Sequence, residues 1–265
     1  KKKNIDQVLI AVPTLTKKRF KQIINFLNSK DVVVMKVPTL DQILDDSKKI
    51  SDLQNLNIED LLGRDEIYPN QDLLDQAIND KIIMITGAAG SIGSELALKV
   101  IKLNPKKVIL IDINESSLYT LEQKIKDLKC VLPEILFRLG DIKFEPFLTE
   151  IFKNDKVDIV FHAAAYKHVP LVEENPIEGI RNNIFSTFSL FKLTNDFEVG
   201  KVVLISSDKA VRPSNIMGAT KLFSELMVKQ LSLLPNCKTI FSTVRFGNVI
   251  DSSGSVIPLF RNQIK

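Results

Sequence analysis

Tryptophan is absent from this chain of 265 residues, tyrosine occurs three times, and cysteine and histidine occur twice each. Cys130 and Cys237 stand alone, with no C-x-x-C or metal-ligand spacing, which argues against a disulfide framework and points to a reducing compartment. His162 and His168, six residues apart, form no recognisable ligand pattern, so no metal site is expected and each is read as structural. No apolar run approaches the roughly 20 residues that cross a bilayer, and Lys1-Lys2-Lys3 is not followed by the apolar core of a signal peptide. The chain as given reads as soluble, with no membrane segment of its own.

What is present is the composition of a globular protein, 45% hydrophobic and 26% charged, sufficient for one full domain and a smaller piece. The net charge of +4 comes from 29 lysines and 7 arginines spread along the sequence against 32 acidic residues. Neither a basic stripe nor interleaved aromatics accompany it, so nucleic acid is not an expected partner.

Two short apolar runs, 7–12 (QVLIAV) and 32–35 (VVVM), flank a helical pattern carrying Phe20, Ile23, Ile24 and Leu27, which predicts β-α-β. Two strands and one helix cannot cover both faces of a parallel sheet, so this is expected to be a partial α/β unit. From about Asp41 to Asn79 the chain turns polar and acidic and reads as a connection. The expected division is 1–60 for the N-terminal unit and linker and 61–265 for a larger domain. From Lys81 on, apolar runs at 81–86, 107–112, 135–139, 157–162, 201–206 and 239–245 alternate with helical patterns such as Ile92/Leu96/Val100, Leu118/Leu121/Ile125/Leu128 and Leu222/Leu226. That alternation predicts an α/β domain with a doubly wound parallel sheet.

Directly after the first of these strands comes Thr86-Gly87-Ala88-Ala89-Gly90-Ser91-Ile92-Gly93, then a helical pattern. At such a turn the missing side chains let the backbone approach a pyrophosphate, and the helix N-terminus favours its charge. Asp112, 19 residues after Gly93 at the end of the next strand, suits both hydroxyls of a ribose and repels a 2′-phosphate, which favours NAD over NADP. The alternative is a tight strand-helix turn with an acidic cap on the following helix. Further on, Ser206-Ser207-Asp208-Lys209 ends the fifth strand, and Met217 precedes Lys221 by four residues. A solvated loop is the alternative for Asp208 and Lys209. Adjacent acid and base at the ligand-binding edge of a sheet, with a further lysine one helix away, instead suit proton transfer.

The GxxGxxG turn resembles the extended short-chain dehydrogenase/reductase superfamily, whose Rossmann fold binds NAD. With HAAAYKHVPLVEENP, SSDKAVRPSNIMGATK and VRFGNVIDSSGSVIPLF, it is similar to the bacterial UDP-N-acetylglucosamine 4,6-dehydratases of polysaccharide biosynthesis. Met217 occupies the place of the usual tyrosine in Tyr-x-x-x-Lys, which resembles the large, membrane-anchored branch. The resemblance implies cofactor contacts from Gly87, Ala89, Gly90, Ser91, Ile92, Gly93, Asp112, Asp141, Ile142, Ala163, Ala164, Ala165, Asn183, Ser206 and Lys221. It implies substrate contacts from Lys167, His168, Arg245, Asn248 and Ser255.

The same resemblance implies oxidation of a UDP-sugar at carbon 4, elimination of water across carbons 5 and 6, and hydride return to carbon 6. Asp208 is the expected acid, with a carboxyl pKa raised by desolvation. Lys209 is the expected base, neutral through burial and the neighbouring Lys221. Ser207 stands where the family has threonine, and Met217, a thioether, cannot move a proton. Also implied are a homo-oligomer and a cytoplasmic location, at the inner face of the membrane through helices upstream of Lys1, and a substrate lobe beyond Lys265, so that a fragment is expected. An NAD-dependent UDP-sugar 4-epimerase and a non-catalytic NAD-binding regulator are the competing readings.

Overall fold

The computed structural model describes residues 5–12, 15–28, 30, 32–37, 54–55, 69–249 and 263. The chain divides into two compact units, Lys1–Pro69 and Asn70–Lys265.

In the first unit, β1 (Gln7–Ile10) pairs in parallel with β2 (Val33–Lys36), and α1 (Lys17–Asn28) connects them. Ile24 of α1 and Val34 of β2 are its buried apolar residues. A third strand, β3 (Gln54–Asn55), pairs antiparallel with β2. The sequence pattern gave no sign of β3, because two polar residues carry no alternation. Most of the expected connection lies outside the described residues.

The second unit begins with α2 (Gln71–Ile78) and carries six strands: β4 (Ile82–Thr86), β5 (Lys107–Asp112), β6 (Glu134–Leu139), β7 (Ile159–His162), β8 (Lys201–Ile205) and β9 (Ile240–Val244). All pair in parallel, in the order β6-β5-β4-β7-β8-β9. The crossovers are α3 (Ser91–Ile101), α4 (Glu115–Lys126) and α5 (Glu145–Asn154), then α6 (Val169–Glu174), α7 (Pro176–Ile180) and α8 (Ser186–Asp196), and finally α9 (Ile216–Ser232). A single π turn, Arg181–Phe185, joins α7 to α8. The expected doubly wound parallel sheet is therefore present, in the Rossmann strand order with its switch point between β4 and β7.

Successive strand residues feed opposite cores, as the period of two requires. Ile83 and Ile85 of β4, with Val108 and Leu110 of β5, pack under Ala97, Val100, Leu118 and Leu121. Met84, Ile109 and Ile111 face the other way, toward Leu148, Phe152, Leu190 and Phe191. Coverage on both faces is why these strands read as unbroken apolar runs.

One helical face departs from expectation. Leu226 of α9 is 50% exposed, and the buried stripe of that helix is Met217, Gly218, Thr220, Lys221, Ser224 and Val228. Apolar periodicity selected the wrong face because the helix turns its polar residues inward to hydrogen-bond the loops at the sheet edge.

Candidate functional site

The loop after β4 is built from close backbone approaches. Gly87 has φ +64°, and a Cβ there would lie 2.6 Å from the backbone of Ala164 in the loop after β7. A Cβ on Gly93 would lie 2.1 Å from the carbonyl oxygen of Gly87. Glycine is thus required at both positions, at the first because both the conformation and the space exclude a side chain. Gly90 is the N-cap of α3 and brings no capping side chain. The amides of Ile92 and Gly93 belong to the first helical turn, which has no internal acceptors.

A cleft of about 300 Å³ opens here, lined by Gly87, Ala89, Gly90, Asp112, Asp141, Ile142, Ala163, Ala164 and Ala165 among the residues expected to bind cofactor. Ile113, Asn114, Tyr166 and Asn182 complete much of its wall and were not foreseen. The Asp112 carboxylate accepts from the amides of Ala89 and Asn114, both at 2.9 Å. That of Asp141 accepts from the Lys143 amide at 2.9 Å and pairs with the Lys143 ammonium at 3.3 Å.

Asn183 does not open onto this cleft as a free ligand. It is 2% exposed; its Oδ1 accepts from the Tyr166 amide at 2.8 Å, and its Nδ2 donates to Tyr166 O and to Thr220 Oγ1, both at 3.0 Å. Both donors and both lone pairs of the amide are engaged, since Asn182 also donates to Oδ1 at 3.2 Å. Asn183 instead ties the loop after β7 to α9. Ser186 donates back to Asn182 O within the π turn and the start of α8.

His162 is fully buried between Thr86 at 2.7 Å and Thr187 at 2.9 Å. Thr187 donates its own proton to Asn183 O at 2.7 Å, so it accepts from Nε2–H of His162, and Nδ1 accepts from Thr86. Burial, then the nearby charge of Lys221, pushes the imidazole pKa down to about 3. The unfolded chain therefore binds a proton below pH 6.5 that the folded chain refuses. Stability is complete above that pH and falls as pH drops from 6.5 toward 3, by about 1.4 kcal/mol for each pH unit. Urea midpoints at pH 6 and pH 5 test this: wild type loses this increment, and a His162→Gln variant, less stable throughout, shows a correspondingly flatter pH dependence.

At the end of β8 the chain turns through a 3₁₀ segment, Asp208–Ala210, with Ser207 as its cap. Ser207 Oγ accepts from the Lys209 amide at 3.2 Å and donates to Asp208 Oδ1 at 3.1 Å. Lys209 Nζ lies 3.3 Å from Asp208 Oδ1 and 3.4 Å from Asn248 Oδ1. Two expectations are corrected here. Asp208 is 55% exposed, and the hydrogen bond from Ser207, followed by those from Lys209, holds its carboxyl below the usual range instead of above it. Lys209 is 39% exposed and paired with that carboxylate, not buried beside a cation. The short 3₁₀ turn leaves both side chains largely open to solvent, and the partial desolvation of Asp208 is outweighed by these hydrogen bonds.

Met217 and Lys221 are buried on α9, at 3% and 8% exposure. Lys221 Nζ donates to the carbonyl of Ile205 at 3.0 Å, and burial lowers its pKa to about 8 against the opposing charge of Glu225. Ser206 is likewise buried, its hydroxyl bonded to Glu225. Arg245 forms a two-pronged ion pair with the same Glu225, so its guanidinium is turned onto α9 instead of reaching outward for a diphosphate as expected. Lys167 and His168 are exposed after β7. Ser255 lies outside the described residues.

Sequence reasoning missed Gly218 and Glu225. A Cβ on Gly218 would lie 2.3 Å from the carbonyl oxygen of Lys209, so the helix start and the Asp208–Ala210 turn are in backbone contact. A glycine inside a helical pattern was the available signal for the first, and an acid one turn after Lys221 for the second.

A glycine-walled cleft at the switch point of a parallel sheet, with an Asp-Lys pair at the end of β8, defines a Rossmann-type domain. The chain belongs to the polysaccharide biosynthesis protein family, whose family model matches residues 83–265. It is 42% identical over 265 residues to the capsular polysaccharide biosynthesis protein CapD of Staphylococcus aureus, covering all of this chain and 44% of that protein. It is 39% identical over 190 residues to a UDP-glucose 4-epimerase of Rickettsia bellii, covering 70% of this chain and 54% of that one. Among solved structures, Pen from Bacillus thuringiensis superposes with a TM-score of 0.65 at 37% identity, over 71% of this chain and 56% of the other. The chain thus spans about half the length of these curated relatives.

Among the described residues there is no cluster of three or more His, Cys, Asp or Glu side chains with the make-up of a metal site, and no helix long and apolar enough to cross a membrane.

Proposed function

We propose that the parent protein is an NAD-dependent UDP-N-acetylglucosamine 4,6-dehydratase of polysaccharide biosynthesis, and that this chain carries its cofactor site and its acid-base pair. The observation that supports this reading most is the Asp208–Lys209 pair, 3.3 Å apart at the end of β8, on the same α9 contact as a buried lysine and a methionine that cannot move protons.

The residues fit a dinucleotide: glycine at 87 and 93 lets the loop after β4 close tightly against Ala164 at the wall of the cleft, and each Asp112 oxygen, having accepted one amide, retains capacity for a ribose hydroxyl. When bound, NAD supplies a hydride acceptor for carbon 4 and, reduced, a donor for carbon 6. Lys221, held on Ile205 O, keeps donors for the second ribose and a positive charge that favours oxidation. Lys209, once substrate separates it from Asp208, releases its ammonium proton to solvent, and the neutral amine takes the proton from carbon 5 and returns it there when carbon 6 is reduced. Asp208 gives its proton to the departing 6-hydroxyl. Because its carboxyl is held low by Ser207 and Lys209 in the free protein, it serves as an acid only after bound sugar displaces the surrounding water and Lys209 turns to carbon 5. Ser207 Oγ, hydrogen-bonded to Asp208, is the hydroxyl placed to relay the proton of the 4-hydroxyl.

The experiment is incubation of the full parent protein with NAD and UDP-N-acetylglucosamine, followed by mass spectrometry. The proposed reaction gives a keto product lighter by one water with no net NADH. The likeness to a UDP-glucose 4-epimerase supports a second reading. An isomer of unchanged mass establishes that one, and no conversion by folded, NAD-loaded protein leaves the regulator.

A further inference from the structure

Glu225 plays no part in the proton transfers above, yet the ends of two strands converge on it. Its Oε1 accepts from Ser206 Oγ at 2.5 Å and from Arg245 Nε at 2.9 Å, and its Oε2 accepts from Arg245 Nε at 3.1 Å and from Nη2. The Glu225 side chain is 9% exposed, whereas that of Arg245 is 47% exposed, so the arginine closes over the carboxylate from the solvent side. Ser206 is the first residue beyond β8, and its amide donates to Val244 O of β9 at 2.8 Å. The preceding carbonyl, Ile205 O, is the acceptor for Lys221, one helical turn before Glu225 on α9. The ends of β8 and β9 are therefore fastened to α9 by one carboxylate and one ammonium group, immediately before the Ser207–Lys209 segment.

We propose that Glu225, locked by Arg245, is a positioning residue: it fixes the point at which β8 passes into Ser207–Lys209 and acts as the anionic neighbour of Lys221. A carboxylate this buried keeps its charge only when donors replace water. Burial pushes the Glu225 carboxyl up, but the hydrogen bonds from Arg245 and Ser206 together outweigh it and hold the group below its usual range. The ionisable groups found to act on Lys221 or its partner are Glu225 on its own helix, Arg245 at the end of β9 behind Glu225, and His162 of β7, which burial keeps neutral. The assignment rests on the proposed function only for its effect on cofactor.

The test is a lysine-¹³C NMR titration of the 265-residue chain, with the Lys221 resonance identified by its loss in Lys221→Met. In wild type the resonance titrates at about 8. Glu225→Gln keeps the shape and one acceptor oxygen but removes the anion, and its midpoint falls by about one pH unit. Arg245→Met removes the cation that offsets Glu225, so its midpoint stays or rises. Loosening of the segment alone would move both variants in the same direction. An unmoved midpoint in Glu225→Gln, or a like shift in both, overturns the proposal. NAD affinity measured across the same pH range separates the two readings: the pH at which affinity declines follows the Lys221 midpoint when NAD is the cofactor. Failure to bind NAD in all three proteins overturns the cofactor reading, while the NMR result still decides the role of Glu225.

Discussion

Lys209→Met is expected to lower dehydration of UDP-N-acetylglucosamine by about 10²- to 10⁴-fold, the range a positioned base contributes, with NAD affinity unchanged. Methionine keeps an unbranched apolar stem of similar shape and has no basic nitrogen. The expected selectivity follows from where the group sits. Lys209 is 39% exposed and, among the described residues, its ammonium bonds to Asp208 and Asn248, whereas the cleft beside Gly87 is lined mainly from the β4, β5, β6 and β7 loops. Asp208→Asn is expected to lose as much, at a different step. In D₂O, the Lys209 variant should fail to exchange the hydrogen on carbon 5, and the Asp208 variant should exchange it but not expel the 6-hydroxyl. Thermal midpoints should hardly move, since exposed ion pairs contribute at most about 1 kcal/mol. Normal turnover in either variant removes that residue from the mechanism.

The fold was legible because both faces of the sheet are covered. The interiors of β4 and β5, Ile83–Ile85 and Val108–Ile111, are fully buried and apolar, and Gly87 and Gly93 after β4 occupy positions where backbone passes within 2.6 Å of a would-be side chain. Both constraints are local in sequence. The environments of Asp208, Lys209 and Arg245 were not legible for the opposite reason. Whether a carboxyl is desolvated, or an arginine is already paired, depends on residues 19 or 20 positions away, as with Ser206 and Arg245 on Glu225. The buried stripe of α9 escaped apolar periodicity since it consists of Thr220, Lys221 and Ser224, whose cost of burial is offset by bonds to Met217 O, Ile205 O and Asn183 O.

Gly218→Ala is expected to reduce both stability and turnover, against the ordinary preference of helices for alanine. In an exposed helix this exchange gains about 1 kcal/mol. Here the added Cβ would stand 2.3 Å from Lys209 O, 3.1 Å from Lys209 C and 3.2 Å from Pro213 Cβ. The first two are backbone atoms of the segment carrying the proposed acid-base pair, so no side-chain rotation relieves the overlap. Nor can α9 simply withdraw: the Gly218 amide is fixed to the Asn215 cap at 2.8 Å, the Ile216 amide to Glu173 of α6 at 2.5 Å, and Lys221 to Ile205 O. The strain therefore falls on the Asp208–Ala210 turn. Overpacking of this kind costs about 1–3 kcal/mol, readable as a lowered urea midpoint. A shift of the pair by about 1 Å lowers the rate by about 10²-fold even where substrate still binds. A fall in kcat larger than the change in KM, with NAD affinity retained, separates misplacement of the pair from general unfolding. Wild-type stability and rate in Gly218→Ala would show that α9 and the turn can part without consequence, and that the lysine and aspartate are not held by this contact.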